Sequence, residues 1–364
     1  MSVWRDITPA VGVPGQPAFG EKTGEKVDLH IGVWQDGRWS YLYGEDTKYG
    51  AMPDLEAIRA ASQKARTGPL PDQVAGPVIK APVWTWEVPL YFWFGGIAAG
   101  SSFVALACDV AGDGRSAAVA RKVALAALAP APPLLVMDLG RPERFYNMLR
   151  IFKPRSPMSM GAWALTAFGN LAAAAVGADL LGRRRAARAL GAANAVVGGY
   201  LGSYTGVLLA STAVPVWARS RLFLGPIFVS TATATGAAAC RLALSATGLE
   251  PQHPTRVALA NVETGAMAAE LLLSTVNERR LGPLAGALEV GRPGKLFRAA
   301  KWAVRLGLAA QLARRRKPAF QHAASALYLA AGLLFRYAWV GAGPPSARDD
   351  RAVAETARSR RYGD

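Results

Sequence analysis

MDLGRPERFYNMLRIFKPRSPMSM, residues 137–160, decides how this chain folds. An apolar segment of membrane length runs into it and stops at Asp138-Leu139-Gly140-Arg141-Pro142. An amphipathic piece, Glu143 to Phe152, follows. A basic turn, Lys153-Pro154-Arg155-Ser156-Pro157, then precedes the next apolar segment. Asp138 and Arg141 are three apart, so while a helix lasts they project from one face and can pair. A charge at the edge of hydrocarbon is costly without a partner or a wet cavity, which makes both functional candidates. The plainer reading is a helix stop with a snorkelling arginine.

Outward from this stretch the chain is 364 residues long and 51% apolar. Crossing hydrocarbon takes about 20 apolar residues per helix. Eight stretches qualify, at about 84–110, 121–139, 158–181, 187–214, 222–247, 255–277, 296–313 and 319–341. The seventh carries Lys301 and Arg305, so an interfacial amphipathic helix is its other reading. The fold expected is an all-α integral membrane protein. It has a bundle of about eight transmembrane helices (81–342), an extramembrane N-terminal segment (1–80) and a basic C-terminal tail (343–364).

Residues 1–80 hold nine Lys/Arg against ten Asp/Glu, whereas the remainder holds 33 against 15. The excess sits in short loops such as Arg183-Arg184-Arg185 and Arg314-Arg315-Arg316-Lys317, which read as anchors to anionic lipid headgroups. A nucleic-acid partner would need a basic face on a soluble module, and none is legible. The positive charges split almost evenly between the two sides, so the positive-inside rule leaves orientation open. Residues 1–80 read as no secretory signal. Val27–Tyr43 suggests a hairpin and Pro53–Ala61 a short helix, with exposed aromatics suited to a partner's surface.

Only Cys108 and Cys240 are present, each inside an expected span, and an iron–sulfur cluster ordinarily needs four thiolates. His30, His253 and His322 offer no facing pair at mid-membrane depth for a haem. The expectation is a chain with no haem, iron–sulfur cluster or other redox metal of its own.

Small residues mark close helix contacts: Gly96 with Gly100, and the ridge Gly198, Gly202, Gly206. Tyr200 and Tyr204 lie roughly opposite that ridge and point to lipid or a cavity. In the sixth stretch Glu263, Met267, Glu270, Ser274 and Asn277 recur on one helical face. Two carboxyls there must face the bundle, pair or hold protons. One reading pairs them with Arg241 or Arg336; the other makes them a proton path, since a desolvated carboxyl can load and release protons near neutral pH.

The string from Asp138 to Ser159, with WEVPLYFWFGGIAAGSS (Trp86–Ser102) and SYTGVLLAST (Ser203–Thr212), resembles the NrfD/PsrC family of polysulfide reductase-type membrane subunits. The resemblance covers roughly residues 83–342. It implies a quinone as bound substrate, menaquinone for preference. It also implies a ferredoxin-like iron–sulfur subunit and, through it, a molybdopterin-type catalytic subunit in a bacterial or archaeal cytoplasmic membrane. By resemblance Tyr204 matches the quinone-contacting tyrosine, and Asp138 and Arg141 match the D-L-G-R-P motif. The family's histidine near the first span has no counterpart, because Trp84, Trp86 and Glu87 occupy that region; Glu87 is the substitute considered. Eight-span threading independently puts Glu87, Asp138, Arg141, Tyr204, Asn277 and Arg336 on one membrane side. Two other readings are a proton or solute carrier, for which no inverted repeat is visible, and a passive anchor without an enclosed polar pocket.

Overall fold

A computed structural model describes residues 77–139, 141–313 and 319–359. The hairpin and short helix expected before residue 62 lie outside the described residues. Within them the secondary structure is helical throughout. The chain opens with α1 (Glu87–Val110), then α2 (Gly114–Leu128) and α3 (Ala131–Met137). Prolines 130, 132 and 133 lack the N–H that would carry one continuous ladder between α2 and α3. After α4 (Asn147–Arg150) come α5 (Pro157–Leu180), α6 (Arg184–Ala210), α7 (Pro215–Arg219), α8 (Arg221–Ala246) and α9 (Pro254–Leu281). The series closes with α10 (Gly286–Glu289), α11 (Gly291–Ala313), α12 (Ala319–Gly341), α13 (Gly343–Ala347) and α14 (Asp350–Ser359).

Among the described residues six helical segments are long and apolar enough to cross a membrane: α1, α2 with α3, α5, α8, α9 and the α12 region. The expected fourth and seventh spans are present as helices of comparable length, α6 and α11, yet they fall short in apolarity. The reason is composition: α6 opens on Arg184, Arg185 and Arg188 and carries Asn194, and α11 carries Arg292, Lys295, Arg298, Lys301 and Arg305.

The bundle is organised on α1 and α8, the most enclosed of the six, with 67% and 61% of their apolar windows buried. They meet backbone to backbone. A Cβ on Gly100 would run into the Ala232 carbonyl, and one on Gly236 into the backbone of Gly100. The expected ridge on α6 packs here too, with Gly198 on Ser102 of α1 and Gly206 on the Leu224 carbonyl of α8.

Polar ties hold both ends of the bundle. At one end Arg121 of α2 forks onto Asp179 at 2.6 and 2.9 Å and reaches Asp109 at 2.5 Å, so one guanidinium fastens α1, α2 and α5. At the other end Tyr337 donates to the Trp86 carbonyl at 3.0 Å and the Val78 N–H to Asp350 at 2.8 Å. Residues 343–359, expected as a tail, form α13 and α14 there, with Ala347 and Val353 buried.

Candidate functional site

At the end where α1 begins and α3 stops, the helices leave a cavity of about 50 Å³. Its mostly apolar wall with a few convergent polar groups is the make-up of a small-molecule site. Its walls come from α1 (Val88, Tyr91, Phe92), α3 (Leu134, Leu135), α5 (Gly161, Ala162) and α6 (Tyr204, Leu208). The loop that opened the sequence reading closes it, through Asp138, Leu139, Met148 and Met158. Most of this lining is apolar; the polar exceptions are few. Tyr204 is 3% exposed, its ring resting on Gly161, where even a Cβ would overlap it. Tyr200 stacks on Tyr204 at 5.8 Å but is 38% exposed, so only one of the two expected tyrosines is enclosed. Among the described residues the hydroxyls of Tyr91 and Tyr204 have no hydrogen-bond partner in the protein. Trp84 completes the wall and is held by stacking on Trp217 at 5.3 Å, whose Nε1 donates to the Trp339 carbonyl at 2.8 Å.

The helix ends at Met137, before Arg141 can share a face with Asp138. Arg141 lies outside any helix with an exposed side chain, and among the described residues no ion pair joins it to Asp138. Asp138 is half-buried at the cavity edge. Burial pushes its carboxyl above its ordinary value, and the neighbouring charge of Glu87 adds to that. Glu87 is half-buried and accepts from Thr85, beside the cavity rather than on its wall. Of the four proposed contacts the structure therefore brings two, Tyr204 and Asp138, into one cavity. Tyr91 and the two methionines escaped the sequence reading. Tyr91 is one turn beyond Glu87 in WEVPLYFW, a spacing that could have drawn attention to it.

The family model for polysulphide reductase NrfD matches residues 77–276, more than half of the chain. The chain belongs to the NrfD family. No curated protein matches it. NrfD proteins are membrane subunits of quinone-linked oxidoreductase complexes and interact with quinones. With its six apolar helices, this NrfD protein is an integral membrane protein.

The matched residues include the polar stripe of α9 as far as Ser274, and Asn277 follows directly after them. All five of its members are buried, as a bundle-facing stripe requires. Glu263 pairs with Arg241 of α8 at 2.9 Å and accepts from Ser325 of α12 at 2.9 Å. Arg241 also donates to Ser325 at 3.0 Å and to the Gln321 carbonyl. Asn277 donates to Ser220 at 3.0 Å and ties α9 to the turn before α8. Arg336, threaded to the same side as Tyr204, instead lies against Phe228, 3.8 Å from its ring centroid, and lines no part of the Tyr204 cavity.

Proposed function

We propose that this NrfD protein binds a quinone, menaquinone for preference, in the cavity between α1, α3, α5 and α6. There it serves as the membrane subunit of a respiratory oxidoreductase complex, in a bacterial or archaeal cytoplasmic membrane. The observation that carries the reading is the unpartnered hydroxyl of Tyr204, enclosed in an apolar cavity whose edge is Asp138. A passive anchor has no use for such a chamber. A bound quinone supplies a two-electron couple that takes up two protons on reduction. Tyr204 donates a hydrogen bond to one carbonyl oxygen, and Tyr91 offers a second hydroxyl. Asp138, at the wet edge, relays a proton between solvent and the head group. Val88, Phe92 and Leu208 exclude water around the ring, and the Met148 and Met158 side forms the lateral doorway for an isoprenoid tail. Glu87 acts from outside the wall on the charge of Asp138.

The test is Tyr204→Phe in the assembled complex. Losing one net hydrogen bond is worth about 1 kcal/mol, so quinol-linked electron transfer should fall about fivefold with assembly intact. Unchanged activity in a fully assembled complex would remove Tyr204 from the site.

The electron partner proposed is a ferredoxin-like iron–sulfur subunit, which in turn meets a molybdopterin-type catalytic subunit. It docks over the cavity end, on residues 1–80 and the loop from Arg141 to Pro157. That loop exposes Phe145, Tyr146, Ile151 and Phe152 among basic residues, the mixture expected of a surface that is covered in an assembly. Deleting residues 1–75 should leave the membrane part folded while co-purification of the soluble subunits drops. Full retention of those subunits by the truncated chain assigns docking elsewhere.

A further inference from the structure

The two carboxyls of α9 have the same spacing rule and opposite surroundings. Met267, 1% exposed, stands between them on the buried face. On one side of it Glu263 is held by Arg241 and Ser325, and Gln311 closes the same cluster by donating to the Ala260 carbonyl at 2.8 Å. That is a paired structural cluster. On the other side Glu270 is 4% exposed and accepts from Ser274 at 2.7 Å. Among the described residues no cation stands within ion-pair distance of it.

Glu270 instead faces a narrow cleft lined by Ser274, Thr231, Met267 and Lys301. The cleft has room for about one water; Phe297, Val304, Ala331 and Phe335 form much of its wall, and Glu270, Ser274, Thr231 and Lys301 are the polar groups that supply the partners a buried water needs. Lys301 carries the path outward, because its ammonium pairs with Glu278 one turn beyond Ser274, and both are only partly buried. The charged groups that bear on Glu270 are Arg336 from α12, Lys301 from α11 and Glu278 from α9 itself, while α8 presents Thr231 to the cleft. Arg336 has two donors, Nε and Nη1, buried without a partner, and its third group reaches only the Phe228 carbonyl at 3.2 Å. The aromatic layer of Phe92, Phe228 and Phe335, with ring centroids 6.5 and 6.1 Å apart, separates this compartment from the Tyr204 cavity. Lys301 and Arg336 both lie beyond the residues matched by the family model.

We propose that Glu270, one water in the cleft and the Lys301–Glu278 pair form a proton site open to the C-terminal end of α9 and closed at Met267 and at the aromatic layer. A proton moves from solvent through Glu278 and the bridging water to a carboxylate oxygen of Glu270, and returns by the same route; only O–H and N–H bonds are made and broken. Glu263 is outside the relay, so the stripe is no continuous path across the membrane. The inference stands apart from the quinone reading, since it requires no turnover.

Infrared difference spectra of the full chain after pH jumps in light and heavy water read the site directly. The expected result is a protonated-carboxyl stretch that titrates, shifts in heavy water and is absent from Glu270→Gln. Lys301→Met should slow its hydrogen exchange about a hundredfold, the scale of losing a positioned proton carrier. If Glu270→Gln fails to fold, Glu270→Asp must move the same band. The proposal is overturned if the native chain has no titrating carboxyl stretch, if the band survives Glu270→Gln, or if it is unmoved in Glu270→Asp.

Discussion

Arg241→Met should destabilise the bundle by about 3–5 kcal/mol, because removing one partner leaves the other charge buried and uncompensated. Glu263 is 0% exposed, and its pairing with Arg241 at 2.9 Å lies inside the α8, α9 and α12 contact. The same guanidinium satisfies Ser325 and the Gln321 carbonyl, so several acceptors lose their donor at once. Replacing both charges, Arg241→Met with Glu263→Leu, should restore most of the loss, since an apolar pair of similar volume needs no compensation. Thermal unfolding of the purified protein reads both variants. A single variant as stable as the native chain would mean that Glu263 finds another partner.

Gly161→Ala should cut quinone-linked electron transfer about a hundredfold, the scale of moving a positioning group by about an ångström. The added methyl occupies the place of the Tyr204 ring, which must swing out of the cavity wall. Tyr204→Phe, by contrast, keeps the ring and loses only the hydroxyl, so the glycine variant should be the more damaging of the two. Quinol-linked turnover per assembled complex distinguishes them. Equal turnover in Gly161→Ala and the native complex would place the reacting head group elsewhere. Assembly should persist, because Gly161 touches a side chain that can move, whereas Gly100 and Gly236 touch backbone that cannot.

The cavity shows what a loop motif conveys and where it stops. Asp138 and Arg141 are three apart, and on an uninterrupted helix they would share a face. The helix ends at Met137, so only Asp138 turns to the cavity and Arg141 faces outward. The motif lies at the edge of the cavity, but its internal pairing depended on where the helix stopped. Tyr204 was legible from the glycine ridge behind it: a face committed to close packing leaves the opposite face for something larger. That Tyr204 is enclosed while Tyr200 is 38% exposed depends on α5, whose Gly161 makes room for one ring and not the other.

The sequence by itself determined the helical membrane character of the described residues and the family. Long apolar runs in hydrocarbon must satisfy their own backbone hydrogen bonds, which leaves the helix as their form. It also determined that the α9 stripe faces inward, since two carboxyls on one helical face cannot be left to lipid. Only the tertiary structure decided that Glu263 is clamped by Arg241 while Glu270 is left facing a cleft. Both glutamates carry the same signal along α9, and what separates them is the rotation and register of α8, α11 and α12 around it. The contact of Arg241 with Ser325 joins residues 84 apart in the chain, and no local pattern encodes which neighbour reaches which carboxyl.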